Sequence, residues 1–165
     1  MAEFELTRSK DDRRLYELGA LGSLRLEGFF SRRATATSAG QTWRIGRSGV
    51  FGQHIYATGS GDEMVGEFDP RAVRRGGELR WERRSFELRA ASAWRERYAL
   101  ATGDTELALF EGKGWGRRPV KVEILRPESV EPGLMLFAAF VVRGLAEDAG
   151  ATAGGVVAAT SPSTG

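Results

Sequence analysis

Few side chains in this chain can do chemistry, and arginine dominates those that can. His54 is the only histidine, and cysteine is absent. A serine triad or a cysteine–histidine pair needs a histidine base. The cysteine version is impossible here, and any serine version would have to run through His54. That residue stands between Gln53 and Ile55 in alternating sequence, where a solvent-facing or edge position on a strand is expected. One histidine cannot build a His-rich metal site, and no run of acids has EF-hand or HExxH spacing. Neither a metal nor a cofactor is expected, and the chain reads as a non-enzyme.

The best acid pairs, Asp62-Glu63 and Asp104-x-Glu106, follow glycine in turn-forming sequence. Asp is favoured in turns because it bonds its own backbone and tolerates unusual dihedrals. These pairs are therefore expected to shape hairpins rather than act as the paired carboxylates of a glycosidase. The glycine-rich stretch EGKGWGRRP, Glu111 to Pro119, spaces Gly112, Gly114 and Gly116 around Lys113 and Trp115. It lacks the GxxxxGK[ST] order and leads into no helix, so it cannot seat an anion on a helix N-terminus. A flexible connection between strands is expected.

The arginine pairs remain. Arg74-Arg75 and Arg117-Arg118 each precede a strand-like run, with Arg71, Arg83, Arg84 and Lys113 near them in sequence. A guanidinium presents a planar fork suited to phosphate and carboxylate. Arg74, Arg75, Lys113, Arg117 and Arg118 thus form the candidate anion-binding set. The competing reading is a solvated surface balanced by Glu67, Asp69, Glu78, Glu82 and Glu87, with arginine enriched by a GC-rich genome. Trp43, Trp81 and Trp94 occupy alternating positions and are expected in the core. Trp115 is the candidate stacking platform.

These residues need a scaffold, and the sequence outlines one. Short alternating runs separated by turn chemistry recur at Thr42–Gly46, Gln53–Thr58, Met64–Phe68, Leu79–Trp81, Phe86–Leu88, Trp94–Ala101, Leu107–Phe110 and Val120–Ile124. Weaker runs lie at Leu15–Leu18, Leu24–Glu27 and Arg33–Thr37. A shift of 43 aligns Trp43-x-Ile45 with Phe86-x-Leu88 and Ile55 with Tyr98; after a one-residue slip Asp62-x5-Phe68 meets Asp104-x5-Phe110. The register then returns, so that Arg74-Arg75 meets Arg117-Arg118 and Leu79-x-Trp81 meets Val122-x-Ile124. Such a repeat is one β-meander used twice.

After the strands comes PGLMLFAAFVVRGL, Pro132 to Leu145. On a helix its apolar side chains cover every face, so it must be enclosed. From Gly133 to Leu145 it spans about 20 Å, short of the ~30 Å of a bilayer core, and Glu147 and Asp148 are expected to end it. A helix of about 133–148 inside the protein's own strands is the expectation. Antiparallel strands lose their edges by closing, and a wide closed barrel can hold a central helix. The expected fold is mainly β: a closed or nearly closed antiparallel barrel of about 11–12 strands around a buried hydrophobic C-terminal helix. Residues 1–12 read as a charged N-terminal segment, 13–148 as the barrel, and 149–165 as a disordered tail of Ala, Gly, Ser and Thr.

With 165 residues and 41% hydrophobic content, one domain with one core is expected. A formal net charge of only +2 argues against a general nucleic-acid binder. The N-terminus has no apolar core, so neither signal peptide nor anchor is read there. No transmembrane span is expected, and the location is read as cytoplasmic, peripheral at the membrane.

The paired meanders TWRIGRSGVFGQHIYATGSGDEMVGEF and SFELRAASAWRERYALATGDTELALF, the strand PVKVEIL and the closing PGLMLFAAFVVRGL carry a resemblance. Over residues 13 to 148 the chain resembles the tubby-like superfamily, which includes the phospholipid scramblases and the plant LURP-one-related proteins. The resemblance implies a roughly twelve-stranded barrel around a buried C-terminal helix. The cysteine-rich and calcium-binding segments of the scramblases have no counterpart here, so scrambling is not expected. Together with the arginine pairs, the resemblance implies a non-enzymatic barrel that binds an anionic ligand, such as a phospholipid headgroup at a membrane surface. The alternative is a protein-interaction or structural module with a protein partner and no small ligand.

Overall fold

A computed structural model describes residues 2–27, 32–49, 53–71, 76–92, 97–112 and 120–154. Twelve strands follow in order: β1 (Ala2–Arg8), β2 (Leu15–Glu17), β3 (Ser23–Glu27), β4 (Arg33–Ser38), β5 (Gln41–Ser48) and β6 (His54–Thr58), then β7 (Met64–Pro70), β8 (Gly76–Trp81), β9 (Arg84–Ser92), β10 (Arg97–Thr102), β11 (Thr105–Glu111) and β12 (Val120–Ile124). Each pairs antiparallel with the next, and β1 pairs with β12, closing the barrel. One helix, α1 (Pro132–Gly154), follows β12.

Alternation explains the walls. In β8, Leu79 and Trp81 face in while Glu78 and Arg80 face out; in β12, Val120, Val122 and Ile124 face in, with Lys121 and Glu123 outside. A two-residue side-chain period allows only one of these faces to meet an apolar core. The outer wall carries charges where a lipid-spanning barrel carries an apolar band. No helix of the described residues is long and apolar enough to cross a membrane.

The core is α1 itself. Leu134, Met135, Leu136, Phe137, Ala138, Ala139, Val141 and Val142 are all 0% exposed. At about 1.5–3 kcal/mol for each large apolar side chain removed from water, this helix is a main source of the barrel's stability. Where α1 lies against β4, the wall residues are Ala34 and Ala36. Small residues there let helix and strand approach closely at interior packing density.

The two meanders superpose on the barrel four strands apart. Ile55 and Tyr98, Phe68 and Phe110, Trp81 and Ile124 are buried counterparts. β6 breaks register against β7 between Ala57 and Thr58, and β10 does so against β11 between Leu100 and Ala101, a shift of 43 positions. The repeat therefore extends to the bulges, which bend a barrel wall locally.

Three expectations need correction. The N-terminal dozen residues are not merely a charged segment preceding a barrel at 13. Phe4 and Leu6 of β1 alternate with Glu3 and Glu5, and this strand bridges β12 and β2. Glu147 and Asp148 do not end α1, which runs on to Gly154, six residues into the stretch read as tail. Both acids sit exposed on the helix, where charge needs no burial. The break placed at Arg83-Arg84 is a two-residue turn of Glu82 and Arg83, with φ of +52° and +88°, and Arg84 opens β9. Paired positive φ values match the twist of a tight hairpin.

Candidate functional site

The topology gives the barrel two unlike rims. A meander alternates ends, so the connections β1–β2, β3–β4, β5–β6, β7–β8, β9–β10 and β11–β12 all leave from one rim. α1 starts at the opposite rim, with Gly133 against Trp43 and Trp81, and runs toward Gly112, which meets Val142 and Ala146 at the end of β11. We call the rim at the helix start the N-rim and the other the C-rim.

The anion-binding set proposed from sequence, Arg74, Arg75, Lys113, Arg117 and Arg118, lies outside the described residues, as do Trp94 and Trp115. The strands that flank both segments are described, and both β7–β8 and β11–β12 turn over at the C-rim. The ends of β7 and β11 at that rim stand four strand positions apart, roughly 20 Å along the wall at ~4.8 Å per strand. Arg83 and Arg84, their neighbours in sequence, belong to the N-rim. Arg84 donates to the Ser129 carbonyl at 2.9 Å and pairs with Glu131 at 3.9 Å. Arg71 is at the C-rim, paired with Glu87 at 3.0 Å.

Other cations at the C-rim escaped the sequence reading. Arg13-Arg14 immediately precede β2, and Arg32-Arg33 span the start of β4; all four are exposed. Lys10 is exposed beside them. None of these five forms an ion pair among the described residues, whereas Arg25 reaches Asp12 at 2.8 Å, Arg80 reaches Glu67 at 3.0 Å and Arg97 reaches Glu123 at 3.6 Å. The signal was available in sequence, because the Arg-Arg doublet recurs at 13–14, 32–33, 74–75, 83–84 and 117–118. Only the strand order reveals that the described doublets 13–14 and 32–33 stand at one rim.

At the N-rim the balance is reversed. Its connections contain Asp62, Glu63, Glu82, Asp104, Glu128 and Glu131 against Arg83 and Arg126. Asp62 sits in a left-handed turn position and pairs with Arg44 across the β5–β6 wall. The acid pairs therefore shape and charge turns, as their sequence suggested.

His54 lies on the outer wall. Its Nδ1 is 2.6 Å from Asp69 Oδ1 and its Nε2 is 3.9 Å from Glu67, while Arg80 bridges Glu67 at 3.0 Å and Asp69 at 3.6 Å. This is a compensated surface ladder across β6, β7 and β8, with both acids already engaged by a permanent cation. A groove of ≈ 430 Å³ across β10, β11, β12 and β1 is also internally paired, with Lys121 at 3.8 Å from Glu5 and Arg97 held by Glu123. Trp43 and Trp81 are core residues, 9% and 2% exposed.

The chain matches no family model, no curated protein and no solved structure at a significant level.

Proposed function

We propose that this chain is a non-enzymatic barrel of the tubby-like kind that binds an anionic ligand, such as a phospholipid headgroup, through arginine-bearing connections. The observation that carries the reading is the location of α1. The interior that a ligand-carrying barrel would leave open is filled by Leu134 to Val142. Recognition must therefore use the outer wall or the rims. Wall charges are largely paired with one another, while the doublets Arg13-Arg14 and Arg32-Arg33 have no acid partner among the described residues. Arginine forks unengaged by carboxylates are free to take phosphate oxygens.

Arg74, Arg75, Lys113, Arg117 and Arg118 are the proposed ligand contacts. The test is vesicle co-sedimentation, with a multiply phosphorylated inositol lipid replacing part of the phosphatidylcholine. Wild-type protein should bind the phosphorylated vesicles, prefer them to phosphatidylcholine alone, and release as salt screens the charges. Arg117→Glu with Arg118→Glu should abolish binding without changing the thermal transition. Unchanged binding in that folded variant overturns the assignment of these residues. Failure of the wild type to bind any anionic lipid favours an interaction module with a protein partner instead.

A further inference from the structure

We infer that the edge of β1 at the N-rim is a docking site for an extended basic segment of another protein, which joins the barrel wall as an added strand. The site lies at the opposite rim from the arginine-bearing connections and does not depend on the anionic-ligand reading above.

The β1–β2 ladder is cut short at this place. Only Thr7↔Glu17 and Arg8↔Tyr16 pair, and toward the C-rim the Ser9 amide donates to the Leu15 carbonyl at 2.8 Å. Backbone groups alternate sides along an antiparallel strand. Ser9, Thr7, Glu5 and Glu3 therefore direct theirs toward β2, while Leu6 and Phe4 direct theirs toward β12, their partner in register. Continued in the same register, Glu5 would meet Gly19. But β2 has ended at Glu17, and Gly19 turns away at φ +53° into a 3-10 turn, Gly19–Leu21. The N–H and C=O groups of Glu5 and Glu3 on that side have no backbone partner among the described residues.

Between β1 and that turn lies a cleft of ≈ 580 Å³, bordered by Glu3, Glu5, Thr7, Glu17, Gly19 and Ser23. Gly19 rests on the Phe4 ring and closes the interior behind it. An extended peptide added to such an edge gains main-chain hydrogen bonds, and its alternate side chains give specificity. Charge names the occupant. Glu3, Glu5 and Glu17 are exposed along the cleft, and no cation borders it. Glu3 and Glu17 have no ion pair among the described residues, and Glu5 reaches Lys121 of β12 at 3.8 Å, on the far side of β1. Two β1 edges from two copies of this chain would bring like charges opposite each other, which destabilises a sheet. Anionic lipid and nucleic acid are repelled for the same reason. A strand carrying Lys or Arg at alternate positions complements Glu3 and Glu5, which project from one face of β1.

The probe is a fluorescent peptide alternating valine and lysine over about eight residues, long enough at ~3.3 Å per residue to run from Thr7 past the rim. One comparison peptide carries glutamate in place of lysine. Another keeps every lysine but has proline in place of valine, which removes amide donors. Each is titrated against the full chain at low salt, and backbone amide hydrogen exchange is read in parallel. The valine–lysine peptide should bind and the other two should not. Exchange at Glu3 and Glu5 should slow on binding, while Phe4 and Leu6, already bonded to β12, should not change. Glu3→Lys with Glu17→Lys should weaken binding roughly tenfold or more, as attractive cross-strand pairs become repulsive. Glu3→Gln with Glu17→Gln, a milder change, should weaken it less and serves if the reversal disturbs the thermal transition. Glu78→Lys with Glu106→Lys, elsewhere on the wall, should leave binding as in the wild type. Equally tight binding of the proline peptide would overturn strand addition, since charge alone would suffice. Failure of the valine–lysine peptide to bind, equal loss in the control, or protection away from Glu3 and Glu5 would overturn the site. Masking of the same amides by self-association of the chain alone would overturn the basic partner in favour of a second copy.

Discussion

Trp43 meets Trp81 edge to face, with ring centroids 5.8 Å apart and planes inclined at 62°, and Trp81 leans on Phe137 at 5.7 Å. Aromatic pairs in this arrangement add about 0.5–1.5 kcal/mol beyond the area they bury. The contact ties β5 and β8 to the first turns of α1. It also explains a glycine at the second residue of that helix.

Gly133 sits where a Cβ would lie 2.6 Å from Trp81 and 2.9 Å from Trp43, both ring atoms of packed indoles. Alanine normally favours a helix over glycine by about 1 kcal/mol. Here the clash should win, since overpacking a filled core costs about 1–3 kcal/mol. Gly133→Ala is predicted to lower the denaturant midpoint. A midpoint equal to or above that of the wild type would show that the indoles can retreat.

Phe137 is fully buried beside Trp81, and Phe140 is 2% exposed. Truncating either to Ala removes an aromatic side chain from a filled interior and should cost ~3–5 kcal/mol. Urea unfolding of the two variants measures this directly. A loss under about 1 kcal/mol at Phe137 would mean that the helix is not held as described.

The sequence made the walls from β5 to β12 legible because large apolar residues alternate there with charges: Trp43 and Ile45, Phe86 and Leu88, Val122 and Ile124. The enclosed helix was legible for the opposite reason, having no polar face. β1 was obscured because only Phe4 and Leu6 mark its inner face amid acids and arginine. The C-rim was legible only as recurring Arg-Arg doublets, not as one face. Its doublets lie far apart in the chain, and only strand parity brings them to one end. The helix end was not legible, because adjacent acids such as Glu147 and Asp148 read in sequence as a stop. A helix leaving a barrel can carry charge as soon as it clears the wall, and Arg143 pairs with Glu147 one turn away at 3.0 Å.

β1 closes the barrel through backbone pairing with β12 from Ala2↔Ile124 to Leu6↔Val120. Deleting residues 2–12 would leave β12 and β2 with unpaired edges and remove Phe4 from opposite Val122. Open strand edges template pairing with other chains. The deletion is predicted to remove the cooperative thermal transition and to promote aggregation on size-exclusion chromatography. A monomeric product with a transition near that of the full chain would show that β1 is an accessory strand.

Arg47 supplies the last prediction, one in which magnitude decides the sign. It follows Trp43 and Ile45 on the inner face of β5, near the C-rim, with its side chain 15% exposed. Its guanidinium lies against Gly144 and 5.8 Å from the centre of the Phe140 ring, and among the described residues it pairs with Asp148 at 3.9 Å. Nε is buried and finds no hydrogen-bond acceptor among the described residues. A cation taken largely out of water with one distant counter-charge gains little from that charge. Replacement of such a group by an apolar chain of similar length is often neutral, or stabilising by ~1–4 kcal/mol. Arg47→Met should therefore hold or raise the denaturant midpoint, because its chain still covers Phe140 and Gly144. Arg47→Ala should lower it, since the packing of the arginine stem is lost along with its charge. If Met destabilises as much as Ala, the charge itself holds α1 in the barrel, and Asp148→Asn should then reproduce the loss.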